Sequence, residues 1–140
     1  MKAHLTRRYG FSASHRLHSD ALSADENLRT YGKCNNPHGH GHNYALEVTV
    51  AGQVDPATGM VCNLVELDQF VEQNVLEAFG HEHLNVMPQF RDVVPTTENL
   101  CVEIYDILKS GFEAAAVEKV RLEETAQNSF EYAGGAAITR

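Results

Sequence analysis

Three histidines follow a cysteine within the segment CNNPHGHGHNY, which spans residues 34–44. His38, His40 and His42 occupy alternate positions and are separated by single glycines, which let a backbone come close to other groups. Three imidazoles with an open fourth coordination position form a common catalytic zinc site. The segment therefore predicts a metal centre. Spacing alone leaves open whether its histidine pair is His38 with His40 or His40 with His42.

The elements that must position these histidines are two strands. Residues 42–52 alternate apolar and polar side chains, as a half-buried strand does. If this strand extends backwards, His40 and His42 face the same side as its apolar residues, because residues two apart share a face. A second predicted strand, residues 3–13, has an apolar series that His15 continues. We therefore expect the three imidazoles to converge at one end of the covered face of a sheet.

Cys34 lies near this predicted centre among polar neighbours. A cysteine acts as a base or nucleophile when a nearby cation or metal lowers the pKa of its thiol. The alternative is a small buried residue, which is our interpretation of Cys62 and Cys101. The three cysteines are odd in number and form no CxxC pair, which argues against a disulfide framework and predicts a reducing, cytoplasmic location.

A carboxylate also falls on an apolar face. In the predicted strand 117–125, Glu124 shares its side with Val120 and Leu122. An ionised carboxylate in such a place needs a partner. A ligand with a guanidine-like edge would supply two hydrogen bonds, and an internal ion pair or exposure at the strand end would serve equally well.

Amphipathic patterns predict two helices that cover the sheet. Residues 66–79 and 97–112 each carry one apolar stripe. Gly80 is the expected stop of the first helix, a position where glycine commonly takes a left-handed conformation. Thr96 is the expected N-cap of the second helix. Residues 20–31 fit either a short helix or a loop.

The turn chemistry predicts the remaining strands. Proline and glycine within residues 55–59 predict a tight turn followed by a return strand at residues 60–64. Residues 117–125 and 128–133 predict a final strand pair. The whole pattern predicts an α+β fold, an antiparallel sheet covered on one face by two helices, in a single domain of residues 1–140. The free edges of so small a sheet favour closure through oligomerisation.

Composition excludes some classes of partner. The chain of 140 residues has a formal net charge of −8, which argues against a nucleic-acid backbone as ligand. It has no apolar run of membrane-spanning length, and its first residues lack the apolar core of a signal peptide. We therefore expect neither nucleic acid nor membrane as a partner.

Six ordered segments together resemble the 6-pyruvoyl-tetrahydropterin synthase family over nearly the whole chain. The resemblance implies a T-fold subunit with a four-stranded antiparallel sheet and two helices, whose trimers form barrels that stack into homohexamers. It also implies Zn²⁺ held by His15, His40 and His42, with His38 outside the ligand set. The segments are FSASHRL (11–17), LSADENL (22–28), YGKCNNPHGHGHNY (31–44), DPATGMVCNL (55–64), VVPTTENL (93–100) and EET (123–125).

The resemblance further implies a reaction. Enzymes of this family are lyases of tetrahydrobiopterin biosynthesis that convert 7,8-dihydroneopterin triphosphate to 6-pyruvoyl-tetrahydropterin with elimination of triphosphate. Cys34 would be the base as a thiolate, and His81 would be its relay. Glu124 would anchor the pterin ring, with three further substrate-binding residues nearby: Thr97, Glu98 and Thr125.

One position departs from the family pattern. The family has an aspartate before the relay histidine, where this chain has Gly80 before His81. An aspartate would orient the imidazole and stabilise its charged form. Its absence points to a changed substrate, a replacement carboxylate such as Glu82, or a weakly active pterin-binding protein. An aspartate introduced at position 80 is therefore expected to raise turnover at a small cost in stability.

Two further questions stay open at this level. Read through His38 and His40, the spacing Cys-x3-His-Gly-His matches the related 6-carboxytetrahydropterin synthases of queuosine biosynthesis, which release a two-carbon fragment from the same substrate. A triphosphate also needs local cations in a net acidic protein. The candidates are Arg7, Arg8, Arg16 and Lys33. Each of them equally fits the role of an ordinary surface charge.

Overall fold

The computed structural model describes residues 1–135, so residues 136–140 of the predicted domain lie outside the described residues. A π-helical turn, Glu72–Leu76, joins the helices of residues 64–71 and 77–79 into one continuous helix. The elements in chain order are β1 (Lys2–His15), α1 (Ala24–Tyr31), β2 (His40–Gln53), α2 (Leu64–Val71), α3 (Glu77–Phe79), α4 (Thr97–Gly111), β3 (Ala116–Thr125) and β4 (Asn128–Tyr132).

Side-chain caps set where the helices begin. The predicted cap of α4 is confirmed, because the Thr96 hydroxyl accepts a hydrogen bond from the backbone N–H of Asn99. Residues 20–31, which fitted a helix or a loop, contain the helix α1. Ser23 and Glu26 form a capping box at its start, each side chain accepting from the backbone of the other residue.

The four strands form one antiparallel sheet in the order β1-β2-β3-β4, as the α+β prediction requires. One face of the sheet is covered by α4, which packs against β3 and β4, and by the helix of residues 64–79. The core residues of β2 and β3 alternate with side chains on the opposite face. That opposite face carries polar pairs such as the hydroxyls of Thr6 and Thr49, 2.8 Å apart.

The predicted return strand at residues 60–64 is wrong. The turn at residues 55–59 forms as expected, but the chain then enters α2, whose first residue is Leu64. Asn63 caps that helix by accepting from the backbone N–H groups of Val65 and Glu66. A return strand also had no place to pair, because both edges of β2 are already occupied by β1 and β3.

No helix among the described residues is both long and apolar enough to cross a membrane.

Candidate metal centre

Strand register brings three histidines together. His15 lies directly opposite His40 in the β1–β2 ladder. His42 lies opposite Ala13, which is two residues before His15 and shares its inward face. Each ring offers one ligand nitrogen, and these three atoms lie within 4.8 Å of one another. His38 is exposed and is not part of this group. Among the described residues, the geometry therefore groups His40 with His42 and His15, and their role as metal ligands stays a prediction.

A close approach of backbones shapes this end of the sheet. Gly39 has a φ of 73°, the left-handed region that favours glycine. A Cβ at this position would lie 3.1 Å from the carbonyl oxygen of His15. The glycine before His40 therefore lets the chain enter β2 in register with the end of β1.

The ring of His15 is held in one orientation. It is fully buried, and its Nδ1 lies 2.7 Å from the carbonyl oxygen of Pro95. A carbonyl can only accept, so Nδ1 carries the proton and Nε2 presents its lone pair, 3.1 Å from Nε2 of His40. Burial lowers the pKa of both His15 and His40, which favours the neutral form that a metal requires.

The nitrogen of the third ring supports the same interpretation. Nε2 of His42 is buried and has no hydrogen-bond partner of ordinary geometry, although it lies 3.1 Å from Oε1 of Glu124. A buried ring nitrogen beside two others that face each other is a donor set suited to a cation such as Zn²⁺. The residues present therefore fit a three-histidine metal site.

Glu124 and Thr97 join this site from other elements. Glu124 lies on the core side of β3, as its parity predicted, next to His42. Thr97, the buried first residue of α4, donates a hydrogen bond from its hydroxyl to Oε2 of Glu124. A carboxylate, a hydroxyl and three imidazoles thus meet at one end of the covered face.

Two of the residues expected to bind substrate lie apart from that cluster. Glu98 is exposed in the first turn of α4. Thr125 lies at the end of β3, where its hydroxyl donates to Asn128 at 2.5 Å and accepts from the N–H of Gln127. Thr125 therefore contributes to the β3–β4 turn, and its role toward substrate stays a prediction.

Cys34 lies in a short 3₁₀ turn, Gly32–Asn35, which contacts the chain just beyond His15. Its carbonyl accepts a hydrogen bond from the N–H of Leu17, two residues beyond His15. Burial, and next the negative charge of Glu124, raise the pKa of its thiol. The protein groups alone therefore favour the thiol, and a thiolate at neutral pH requires a nearby cation.

His81 lies at the free edge of the sheet, beside β1. Its backbone N–H donates to the carbonyl of Ser12 at the free edge of β1. It lines a cavity of about 310 Å³ whose other residues include Ser12, Ser14 and Asn43, which alternate with the metal ligands, and also the core-side residues Ala13 and His42. Among the described residues, no hydrogen bond or ion pair joins His81 to Cys34, so their partnership stays a prediction.

The backbone around His81 differs from expectation. Gly80 follows the last helical residue, as predicted, but its φ is −61°, so a left-handed glycine at this position is wrong. The left-handed conformation falls instead on His81, with φ 62°. Glycine is needed at position 80 because a Cβ there would lie 2.4 Å from the carbonyl oxygen of Leu76.

The four candidate phosphate-binding cations have different surroundings. Arg7 makes a bidentate pair with Asp68, at 3.1 and 3.0 Å. Arg8 pairs with Glu47 and Glu123 on the polar face, at 3.3 and 3.5 Å. The other two flank the metal side: Arg16 follows His15 and donates to the carbonyl of Asn35, and exposed Lys33 precedes Cys34.

Sequence reasoning missed two groups at this site. The carbonyl of Pro95 has no signal in the sequence, since any residue could place a backbone oxygen there. The sequence did contain a signal for Tyr44, because this residue lies on the same face of its strand as His40 and His42. The pattern was interpreted as an ordinary core position. The buried hydroxyl of Tyr44 lies at the site and has no hydrogen-bond partner among residues 1–135.

Comparison with known proteins supplies a family for this site. Residues 4–135 match the family model described as 6-pyruvoyl tetrahydropterin synthase. The human 6-pyruvoyl tetrahydrobiopterin synthase is 48% identical over 134 residues, which cover 95% of this chain and 92% of the human protein. A putative 6-carboxy-5,6,7,8-tetrahydropterin synthase of Archaeoglobus fulgidus is 32% identical over 106 residues, covering 76% of this chain and 84% of that protein.

The fold agrees with a solved structure of the same description. The 6-pyruvoyl tetrahydropterin synthase of Caenorhabditis elegans superimposes with a TM-score of 0.91 at 41% sequence identity. The match covers 96% of this chain and 97% of the nematode chain.

Proposed function

The chain belongs to the 6-pyruvoyl tetrahydropterin synthase family, and from this premise we propose that it converts 7,8-dihydroneopterin triphosphate to 6-pyruvoyl-tetrahydropterin in a Zn²⁺-dependent reaction. Triphosphate leaves, the two side-chain alcohols become carbonyl groups, and their hydrogens are redistributed to the ring, to the terminal methyl carbon and to the departing triphosphate. One observation carries the proposal: the carboxylate of Glu124 lies 3.1 Å from the ring of His42, within the three-histidine cluster.

A carboxylate beside three imidazoles suits a substrate with two recognisable ends. Glu124 would accept two hydrogen bonds from the guanidine-like edge of a pterin ring. Thr97 holds the carboxylate through Oε2 and limits its rotation. The three histidines would then face the side chain of the same ligand, so the reacting carbons would be held in a fixed position.

The predicted ligands of Zn²⁺ are His15, His40 and His42. A bound Zn²⁺ supplies Lewis acidity, which polarises side-chain oxygens and acidifies the neighbouring C–H bonds. Cys34 removes those protons through its sulfur and returns them at another carbon. Its position on the metal side supports this role, since its thiol needs a cation to lose a proton at neutral pH.

The relay residue would come from a neighbouring copy. Within the described residues, no hydrogen bond or ion pair joins Cys34 to His81 at the free edge of β1, so we infer that a second subunit brings its His81 to Cys34. The sheet has two outer strands, β1 and β4, and such edges favour assembly. We propose that each chain supplies one T-fold domain to a barrel trimer, and that two trimers form the homohexamer.

The triphosphate would lie against Arg16 and Lys33. These two cations flank the metal side, whereas Arg7 and Arg8 are held by carboxylates. Guanidinium and ammonium groups bind phosphate oxygens through charge-assisted hydrogen bonds.

Product analysis tests the function. The zinc-loaded protein is incubated with 7,8-dihydroneopterin triphosphate, and products are separated by liquid chromatography with mass detection. Formation of 6-pyruvoyl-tetrahydropterin and triphosphate supports the proposal. Release of a two-carbon fragment would assign the 6-carboxytetrahydropterin reaction, toward which the Archaeoglobus relative points. Binding of the pterin without turnover would show that the chain is a pterin-binding protein and not a synthase.

A further inference from the structure

Tyr44 presents a buried hydroxyl that nothing in the described chain satisfies. The residue is 2% exposed, and its hydroxyl oxygen has no hydrogen-bond partner. Across residues 1–135, the other such side-chain atom is Nε2 of His42, which the metal site explains. A buried unpaired polar group costs free energy and calls for a functional explanation.

The ring of Tyr44 is placed rigidly, so its hydroxyl points to one location. It stacks on Phe11 with ring centroids 5.1 Å apart. Its edge meets the metal ligands His42 and His15, at centroid distances of 5.7 and 6.4 Å. Packing on three rings excludes rotation to another hydrogen-bond partner.

The surroundings of the hydroxyl identify its partners. Ala45 pairs with Glu123 across β2 and β3, so Tyr44 and Glu124 are the next residues of the two antiparallel strands and lie side by side at the end of the ladder. Thr97 is bonded to that carboxylate, so the two groups nearest in register to the Tyr44 hydroxyl are Glu124 and Thr97, and the hydroxyl bonds to neither. The Thr97 hydroxyl donates its one proton to Glu124, and the lone pairs of its oxygen can accept a hydrogen bond from another group.

We propose that Tyr44 is a positioning residue for ligand binding, whose O–H donates to the Thr97 hydroxyl that in turn donates to Glu124. The hydrogen bond from Tyr44 to Thr97 forms when a bound ligand with a guanidine-like edge shifts Glu124 and Thr97 so that the two hydroxyls are aligned. This inference rests on the proposed function, because it requires Glu124 to hold the pterin ring. It predicts that the phenol costs stability in the free protein and strengthens binding in the complex.

The test uses the zinc-loaded protein and 7,8-dihydroneopterin, the substrate without its triphosphate, in calorimetric titrations. Tyr44→Phe removes only the hydroxyl. Tyr105→Phe is the matched control, since it removes another buried tyrosine hydroxyl, which donates to the carbonyl of Ala133 away from the site. We expect Tyr44→Phe to raise Kd about threefold to tenfold, as for one neutral hydrogen bond, and Tyr105→Phe to leave Kd unchanged.

A second measurement separates positioning from mere structure. Without ligand, Tyr44→Phe should keep its zinc and melt at the same or a higher temperature, because an unpaired buried hydroxyl is removed. A variant that loses zinc, or melts lower with an unchanged Kd, overturns the inference.

The Glu124→Gln background separates this inference from the proposed function. If the hydroxyl acts through Glu124, Tyr44→Phe has little further effect on Kd once Glu124 is replaced. An equal effect in both backgrounds overturns the inference while leaving the function intact. If Glu124→Gln alone leaves Kd unchanged, the proposed pterin anchor fails, and the role of Tyr44 fails with it.

Discussion

His15 and Pro95 are 80 residues apart in the chain, and a hydrogen bond of 2.7 Å joins the imidazole Nδ1 of one to the carbonyl oxygen of the other. The bond sets the tautomer of a buried ring and leaves Nε2 as the nitrogen that faces His40. The segment before α4 thus orients a predicted metal ligand at the end of β1.

The first prediction concerns metal content. Alanine at His15, His40 or His42 should abolish stoichiometric zinc, because two remaining imidazoles hold the ion far more weakly. His38→Ala is the matched control, since His38 is exposed and lies outside the cluster. Elemental analysis of purified variants gives zinc per chain. Loss of zinc only from the His38 variant would refute the assignment.

The second prediction concerns proton abstraction. Cys34→Ala should keep fold and zinc but lose the exchange of substrate side-chain hydrogens with deuterated solvent, because the sulfur is the proposed base. Cys62→Ala, which alters a buried cysteine of the core, should retain that exchange. Mass spectrometry of recovered substrate measures the deuterium content. Normal exchange in the Cys34 variant would exclude Cys34 as the base.

The third prediction concerns pterin affinity. Glu124→Gln should weaken binding about tenfold to a hundredfold, since a charge-assisted pair becomes neutral and the amide also presents a donor. Glu123→Gln is the neighbouring control, because Glu123 pairs at 3.5 Å with Arg8 on the polar face. Calorimetric titration with 7,8-dihydroneopterin measures both. Equal Kd values in the two variants would show that Glu124 has only an internal partner.

The fourth prediction concerns position 80. The sequence predicts a small stability cost for an aspartate there, and the structure makes that cost larger. Any side chain there meets the carbonyl of Leu76, so Gly80→Ala and Gly80→Asp should each cost about 1–3 kcal/mol of stability. Thermal melts measure that cost. Turnover of the aspartate variant relative to the alanine variant isolates the carboxylate. A higher value would show that His81 uses it, and equal values would show that it does not.

The fifth prediction concerns the relay between copies. Cys34→Ala and His81→Ala oligomers should each be inactive, yet dissociation and reassembly of the mixture should restore part of the activity. Restoration follows because some sites then combine Cys34 of one chain with His81 of another. Reassembled single variants serve as controls. A mixture that stays inactive, with mixed oligomers verified by mass spectrometry, would place the relay elsewhere, with Glu82 the first residue to examine.

The sequence by itself determined which face each candidate residue occupies. The period of two in a strand is a local property, so His40, His42 and Glu124 could be assigned to the core side from their apolar neighbours. The caps and most helix bounds are local too, as Thr96 shows. The spacing of the whole set of motifs was likewise sufficient to indicate the family.

The tertiary structure decided what depends on contacts between distant segments. Residues 60–64 had the pattern of a return strand, but β2 had no free edge and Asn63 began a helix. Cys34 and His81 could be assigned to one reaction, but only the path of the loop after α3 along β1 placed His81 at the free edge of the sheet, where no hydrogen bond within the described residues joins it to Cys34. The unpaired hydroxyl of Tyr44 likewise follows from packing among β1, β2 and α4, because hydrogen-bond satisfaction depends on three-dimensional distances that no local pattern encodes.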